Sequence, residues 1–229
     1  LADTYASLAD KYHVDHLDFD IEGVALDNQT AVALHSQALK LLQQSRPDLQ
    51  IWYTLPVSPT GLYTNSVWAM DSALKAGVKL AGVNVMAMDY GSTYTDMGTH
   101  AITAAQSTVT QLRGIPQYSA FTDARLFAMV GVTVMIGQND IAGEVLTLAD
   151  ATKVASFAKS NGVGELSWWD LTRDRPRSTP TEAIYLCTRL SDPTWAFSKA
   201  LIAGLGGAIT PNPGPVATTP PTPTPTVTA

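Results

Sequence analysis

Four carboxylates stand close together near the start of the chain, in the stretch Val14-Asp15-His16-Leu17-Asp18-Phe19-Asp20-Ile21-Glu22-Gly23. Leu17, Phe19 and Ile21 alternate with Asp18, Asp20 and Glu22. That is the period of an extended strand, so the apolar and acidic sets are expected on opposite faces. A row of acids on one face of a buried strand is costly unless its members are paired or put to use. Asp15 lies three residues before Asp18, and alternation does not bring it onto the acidic face. Two chemistries suit such a row: cation binding and proton transfer. Asp18-x-Asp20-x-Glu22-Gly23 overlaps the opening of an EF-hand loop, but the twelfth position is Gln29 where a bidentate Glu is required, and the flanking residues are strand-like. Strict alternation also disfavours a run of solvated loop charges. Acid–base chemistry is the better reading.

The elements around this strand repeat. Residues 1–12 carry Leu1, Tyr5, Leu8 and Tyr12 at helical spacing. After the acidic strand, Asp27 or Asn28 is placed to cap a helix that ends at Arg46-Pro47-Asp48. Strands are expected at 49–57, 80–91, 132–137 and 164–170. Helices are expected near 65–76, 98–112, 122–129, 147–160 and 180–204, the last interrupted near Asp192-Pro193. Strand followed by helix, five times over, predicts βα units and a parallel sheet. Polar residues gather at the C-terminal end of each strand: Glu22, Ser58, Asp89-Tyr90, Gln138-Asn139-Asp140 and Trp169-Asp170. In a (β/α)8 barrel that end carries the active site. No glycine-rich phosphate loop follows any strand, which disfavours a nucleotide-binding sheet.

Composition narrows the partners. The 229 residues are 45% hydrophobic and 15% charged, enough apolar material for a large core. A formal net charge of −6, with no basic cluster, argues against nucleic acid. No apolar run approaches the ~20 residues of a membrane-spanning helix, so no membrane partner is expected. Cys187 is the single cysteine and the four histidines lack ligand spacing, so no metal and no other cofactor is expected.

Asp15-His16-Leu17-Asp18-Phe19-Asp20-Ile21-Glu22 matches in full the Asp-x-x-Asp-x-Asp-x-Glu signature of glycoside hydrolase family 18, the chitinase family, and the chain resembles its bacterial-type members over about residues 1–203. Met86-Ala87-Met88-Asp89-Tyr90 is similar to the family's sixth-strand motif, and Leu166-Ser167-Trp168-Trp169-Asp170 resembles its eighth strand. Tyr53 to Pro56 and Met135 to Asp140 are similar to the fifth and seventh. The resemblance implies an α/β TIM (β/α)8 barrel of which this chain holds strands four to eight, within residues 1–205. The first residues, Leu1-Ala2-Asp3-Thr4, fit a start inside a domain.

The resemblance further implies a substrate-assisted, retaining hydrolysis of β-1,4-linked N-acetylglucosamine, an exception to the usual pair of catalytic carboxylates. Glu22 is then the general acid, Asp20 orients the substrate acetamido group, and Asp18 shares a proton with Asp20. Asp15 supports the strand. Asp89, Tyr90, Met86 and Met88 are expected around the acetamido group. Met88 stands where many members carry a Tyr, and Tyr90 is one place too late to replace it by alternation. One of Trp168 and Trp169 is expected under the sugar and the other in the core. The expected partner is chitin or chitooligosaccharides, bound by a secreted, extracellular monomer. Residues 211–229 hold seven Pro and six Thr and no charge, and 206–229 read as a linker to a further module. Two rivals share the barrel: an inactive chitin-binding lectin, which usually lacks the acid, and an endo-β-N-acetylglucosaminidase acting on N-glycans.

Overall fold

The computed structural model describes residues 1–91 and 94–207, so the expected Pro/Thr-rich linker at 211–229 lies outside the described residues. In chain order the elements are α1 (Ala2–Tyr12), β1 (His16–Asp20), α2 (Gly23–Asp27), α3 (Gln29–Ser45), β2 (Gln50–Ser58), β3 (Gly61–Leu62), α4 (Thr64–Ala76), β4 (Leu80–Ala87), α5 (Met97–Arg113), α6 (Asp123–Phe127), β5 (Val130–Met135), β6 (Gly137–Gln138), β7 (Val145–Leu146), α7 (Leu148–Asn161), β8 (Glu165–Trp169) and α8 (Ala196–Gly204). Local chemistry sets several boundaries. Asn28 caps α3, its side chain accepting from the Ala31 amide at 3.1 Å. Thr147 and Asp150 close a capping box on α7. Gly77 and Gly162 end α4 and α7 in the left-handed conformation (φ 85° and 67°).

β1, β2, β4, β5 and β8 form one parallel sheet in that order, a curled half-barrel. Register pairs Asp20 with Thr54, Thr54 with Asn84, Asn84 with Gly131 and Gly131 with Glu165. Alternation then assigns two faces. Residues 18, 20, 52, 54, 56, 82, 84, 86, 131, 133, 135, 165, 167 and 169 belong to the concave face. The convex face packs on the helices through Ile51, Tyr53, Leu55, Val83, Val85, Val132 and Val134, all essentially inaccessible. The curl is strong enough that His16 on β1 comes within 3.6 Å of Glu165 on β8, the opposite edge.

Asp18, Asp20 and Glu22 are exposed on the concave side, where Asp20 and Glu22 line a cavity. One expectation fails. The expected helix at 180–204 is helical only at Ala196–Gly204, with a 3-10 turn at Ile184–Leu186. The backbone between finds its partners elsewhere. Thr188 N–H donates to Arg175, Gln138 N–H to Thr188, and Trp195 N–H to Asp174, and Pro180 and Pro193 have no amide hydrogen to offer a helix.

Candidate active site

The carboxylates reach the strand ends by specific backbone turns. Ile21 N–H still bonds Thr54 O at 3.1 Å, holding β1 in register to its last residues. Glu22 is extended (φ −144°) and Gly23 turns left-handed (φ +51°), so the chain leaves the sheet abruptly into α2. Glycine serves there because the conformation costs other residues about 1–2 kcal/mol. The Glu22 carboxylate does not cap α2; it lines a cavity of about 380 Å³ together with Asp20, Asp89, Asp140, Met86, Met88 and Trp169.

Beneath the cavity runs a line of side-chain hydrogen bonds. Asn84 Nδ2 donates to Thr133 Oγ1 at 2.7 Å and to Thr54 Oγ1 at 2.9 Å, and Thr54 donates to Asp18 Oδ2 at 2.6 Å. Asp18 is thus held from below, on the same face as Asp20 and Glu22. Partial burial first, then the neighbouring charges of Glu22 and Asp18, raise the Asp20 carboxyl above the ordinary range.

Asp89 is reached differently. Its own backbone is left-handed (φ 46°), and its carboxylate accepts from the Ile141 amide at 3.1 Å. Burial, the larger influence, raises its carboxyl, and the Ile141 bond pulls it down. The loops that carry it are pinned by buried polar residues. Asn139 donates to Met135 O at 3.0 Å and Gly137 O at 3.2 Å and accepts from the Asp89 amide at 3.4 Å. Glu144 accepts from the Tyr90 amide at 3.1 Å, and the buried Arg173 donates to Gln138 O at 2.6 Å.

The structure therefore brings Asp20, Glu22, Met86, Met88, Asp89 and Trp169 together around one cavity, with Asp18 just below. It separates the others. Tyr90 is buried, edge-to-face with Tyr94 at 5.5 Å, and does not line the cavity. Trp168 packs against the hydrophobic core, while Trp169 is 52% exposed at the rim. Asp15 lies at the opposite end of β1, where its carbonyl accepts from Gln50 N–H at 2.8 Å. Sequence reasoning passed over Tyr63 and the cavity-lining roles of Thr133, Met135 and Asp140. Thr133, Met135 and Asp140 lie on or just after β5, where strand-end position was a usable signal. Tyr63 sits in a loop and had none. Among the described residues no group of three or more His, Cys, Asp or Glu could hold a metal ion, and no helix is long and apolar enough to cross a membrane.

A curled parallel sheet flanked by helices, with carboxylates and an aromatic ring converging at the C-terminal strand ends, defines a TIM-like enzyme domain. No protein-family model matches the chain. It is 35% identical to the probable bifunctional chitinase/lysozyme of Escherichia coli (strain K12), over 85% of this chain and 23% of that protein. It is 36% identical to endochitinase 11 of Metarhizium anisopliae, over 75% of this chain and 35% of that protein. Among solved structures, catalytic-site mutants of active domain 2 of the Pyrococcus furiosus chitinase superpose with a TM-score of 0.79 at 32% identity, over 90% of this chain and 65% of that one. The same domain complexed with chito-oligosaccharides gives 0.77 at 32% identity, with the same coverage. The chain belongs to the chitinase family of glycoside hydrolases. It spans roughly a quarter and a third of the length of the curated relatives it matches.

Proposed function

We propose that this chain supplies the acid, the acetamido-orienting carboxylates and the sugar platform of a secreted family 18 chitinase acting on β-1,4-linked N-acetylglucosamine chains. The observation that carries this is the convergence of Asp20, Glu22, Asp89 and Trp169 on one cavity at the strand ends. Glu22 donates its proton to the glycosidic oxygen as the C1–O bond breaks. The acetamido carbonyl oxygen of the same sugar attacks C1 and forms a cyclic oxazolinium ion. Asp20 accepts from the acetamido N–H and balances the developing positive charge, and its raised affinity for a proton favours sharing one with Asp18. Water, deprotonated by the Glu22 carboxylate, then opens the ring at C1 with overall retention. Asp89 holds the acetamido group from the loop after β4, and the Trp169 ring carries the apolar face of the sugar. The strands correspond to the fourth to eighth of a full barrel, and residues 206–229 serve as a linker.

The test is turnover of soluble N-acetylglucosamine oligomers by the full chain and by Glu22→Gln. The expected result is cleavage by the former and a loss of roughly 10²–10⁴-fold in the variant, the usual worth of a positioned proton donor, with oligomer affinity kept. Undiminished turnover by Glu22→Gln overturns the acid assignment. Binding without turnover by the unaltered chain favours the lectin.

A further inference from the structure

Arg173 is the largest fully buried side chain among the described residues. It closes the 3-10 turn Leu171–Arg173, just past the end of β8. Its neighbours fix its backbone. The Arg173 N–H donates to Asp170 Oδ1 at 2.9 Å. The buried Asp174 accepts from the Phe197 amide at 3.2 Å, the Ser198 amide at 2.7 Å and the Ser198 hydroxyl at 2.6 Å, which ties the turn to the start of α8. Among the described residues the guanidinium makes a single hydrogen bond, to Gln138 O at 2.6 Å, and Nε and Nη1 make none. A buried charge with one bond adds little to stability, so what it does for the molecule depends on where that bond leads.

Gln138 is held on both sides by the segment after β8. Arg173 donates to its carbonyl, and its own N–H donates to Thr188 O at 2.9 Å. The next residues carry that hold to Asp89. Asn139 Oδ1 accepts from the Asp89 amide at 3.4 Å, and the Ile141 amide donates to Asp89 Oδ1 at 3.1 Å. We propose that Arg173 is a positioning residue, which through Gln138 and the loop 139–141 fixes the Asp89 carboxylate in the cavity. The inference rests on the hydrolase reading of that cavity, in which Asp89 holds the acetamido group. The sheet does not do this work: β4 ends at Ala87, two residues before Asp89. The left-handed backbone of Asp89 (φ 46°) is one that a residue other than glycine keeps only where its surroundings impose it. Charge acts in the same sense. Burial weakens the hold of the guanidinium on its proton most, while Asp140, Asp170, Cys187 and Asp89 strengthen it. Burial raises the Asp89 carboxyl, and both the Ile141 bond and the Arg173 charge pull it down, toward the ionised acceptor.

The experiment is a double-mutant cycle on the full chain, read as kcat on the soluble N-acetylglucosamine hexamer. Asp89→Asn alone is expected to lose about 10²-fold. Arg173→Met is expected to lose about thirtyfold, and Arg173→Lys, which keeps the charge without the planar fork, about fivefold. In the Asp89→Asn background either Arg173 substitution should cost no more than about twofold, because the two residues act on one path. Additive losses, which a general loosening of the fold would give, overturn the proposal. If Arg173→Met does not fold, the cycle with Arg173→Lys decides. If the unaltered chain cleaves nothing, or Asp89→Asn is without effect, the hydrolase reading of Asp89 fails by itself. Hydrogen exchange at the Ile141 amide in Arg173→Lys then decides the positioning. The control is the Lys79 amide, which donates to Gln43 Oε1 at 2.8 Å at the opposite end of β4. Exchange about tenfold faster at Ile141 and unchanged at Lys79 upholds the proposal. Unchanged exchange at Ile141, or equal acceleration at both amides, overturns it.

Discussion

Trp52 and Trp169 belong to the same concave face of the sheet, near opposite ends of its strands, and they live in opposite conditions. Trp52 is 5% exposed and lies nearly parallel to the His16 ring, with centroids 5.5 Å apart. The sheet makes room for it by omission: a Cβ on Gly82 would lie 2.3 Å from its ring and one on Gly164 2.9 Å away. His16 and Glu165 face each other beside it at 3.6 Å, and Ser167 donates to Glu165 at 2.7 Å. Trp169, at the C-terminal ends, is 52% exposed and faces a space bounded by carboxylates. The floor spends its concave positions on filling the interior; the mouth leaves them unfilled and polar. Stability and chemistry are thus divided along the strands, as expected when loops rather than the barrel interior carry function.

The sharpest way to break this division is at the mouth. Glu22→Gln is expected to lose roughly 10²–10⁴-fold in turnover with a melting temperature unchanged within about 2 °C; a large fall in melting temperature would make the mouth structural. Asp20→Asn is expected to lose about 10²-fold in turnover while gaining stability at neutral pH. Burial and the Glu22 and Asp18 charges raise the Asp20 carboxyl, so the folded state holds its proton better than the unfolded one. Its ionisation therefore weakens the fold as pH rises past the ordinary carboxylate range. The gain on substitution should appear above about pH 4 and be absent below it, which thermal melts across pH would show.

A control outside both regions keeps that sign honest. His35 packs against Phe19 (4.8 Å) and Tyr53 (5.8 Å) on the convex side, and burial lowers its pKa to about 4. The folded state resists the proton that the unfolded chain accepts, so stability should fall as pH drops from about 6.5 to 4 and then level off. The loss is on the order of 3 kcal/mol, opposite in direction to Asp20. Denaturant melts of His35→Leu should lack this acid-side slope. At the floor, Gly82→Ala is expected to cost about 1–3 kcal/mol by overpacking against Trp52, with kcat per folded molecule retained. The smallest effect is expected midway. Thr54→Val removes the bond to Asp18 at a cost of about 1 kcal/mol and shifts the pH profile of turnover more than its maximum.

Much of the fold was legible in the residues. The strands expected at 49–57, 80–91 and 132–137 did become the central parallel strands, at Gln50–Ser58, Leu80–Ala87 and Val130–Met135, and Asn28, one of the two expected caps, sits where α3 begins. The stretch 177–195 was not legible, because its backbone is satisfied by distant loops rather than by its own periodicity. The candidate site divides the same way. Alternation alone put Asp18, Asp20 and Glu22 on one face, since a strand has only two. It could not say which face would be concave and open on a cavity, because that depends on the register and curl of strands far apart in the chain.

Residue types and spacing by themselves determined the order of elements, the acidic face of β1 and the likeness to chitinases. Only tertiary structure decided which of two adjacent tryptophans meets the cavity, why Tyr90 turns into the core, and that Tyr63 joins the cavity lining. Neighbouring side chains on a strand always part to opposite faces, but what each face meets is set by the register and curl of strands far apart in the chain.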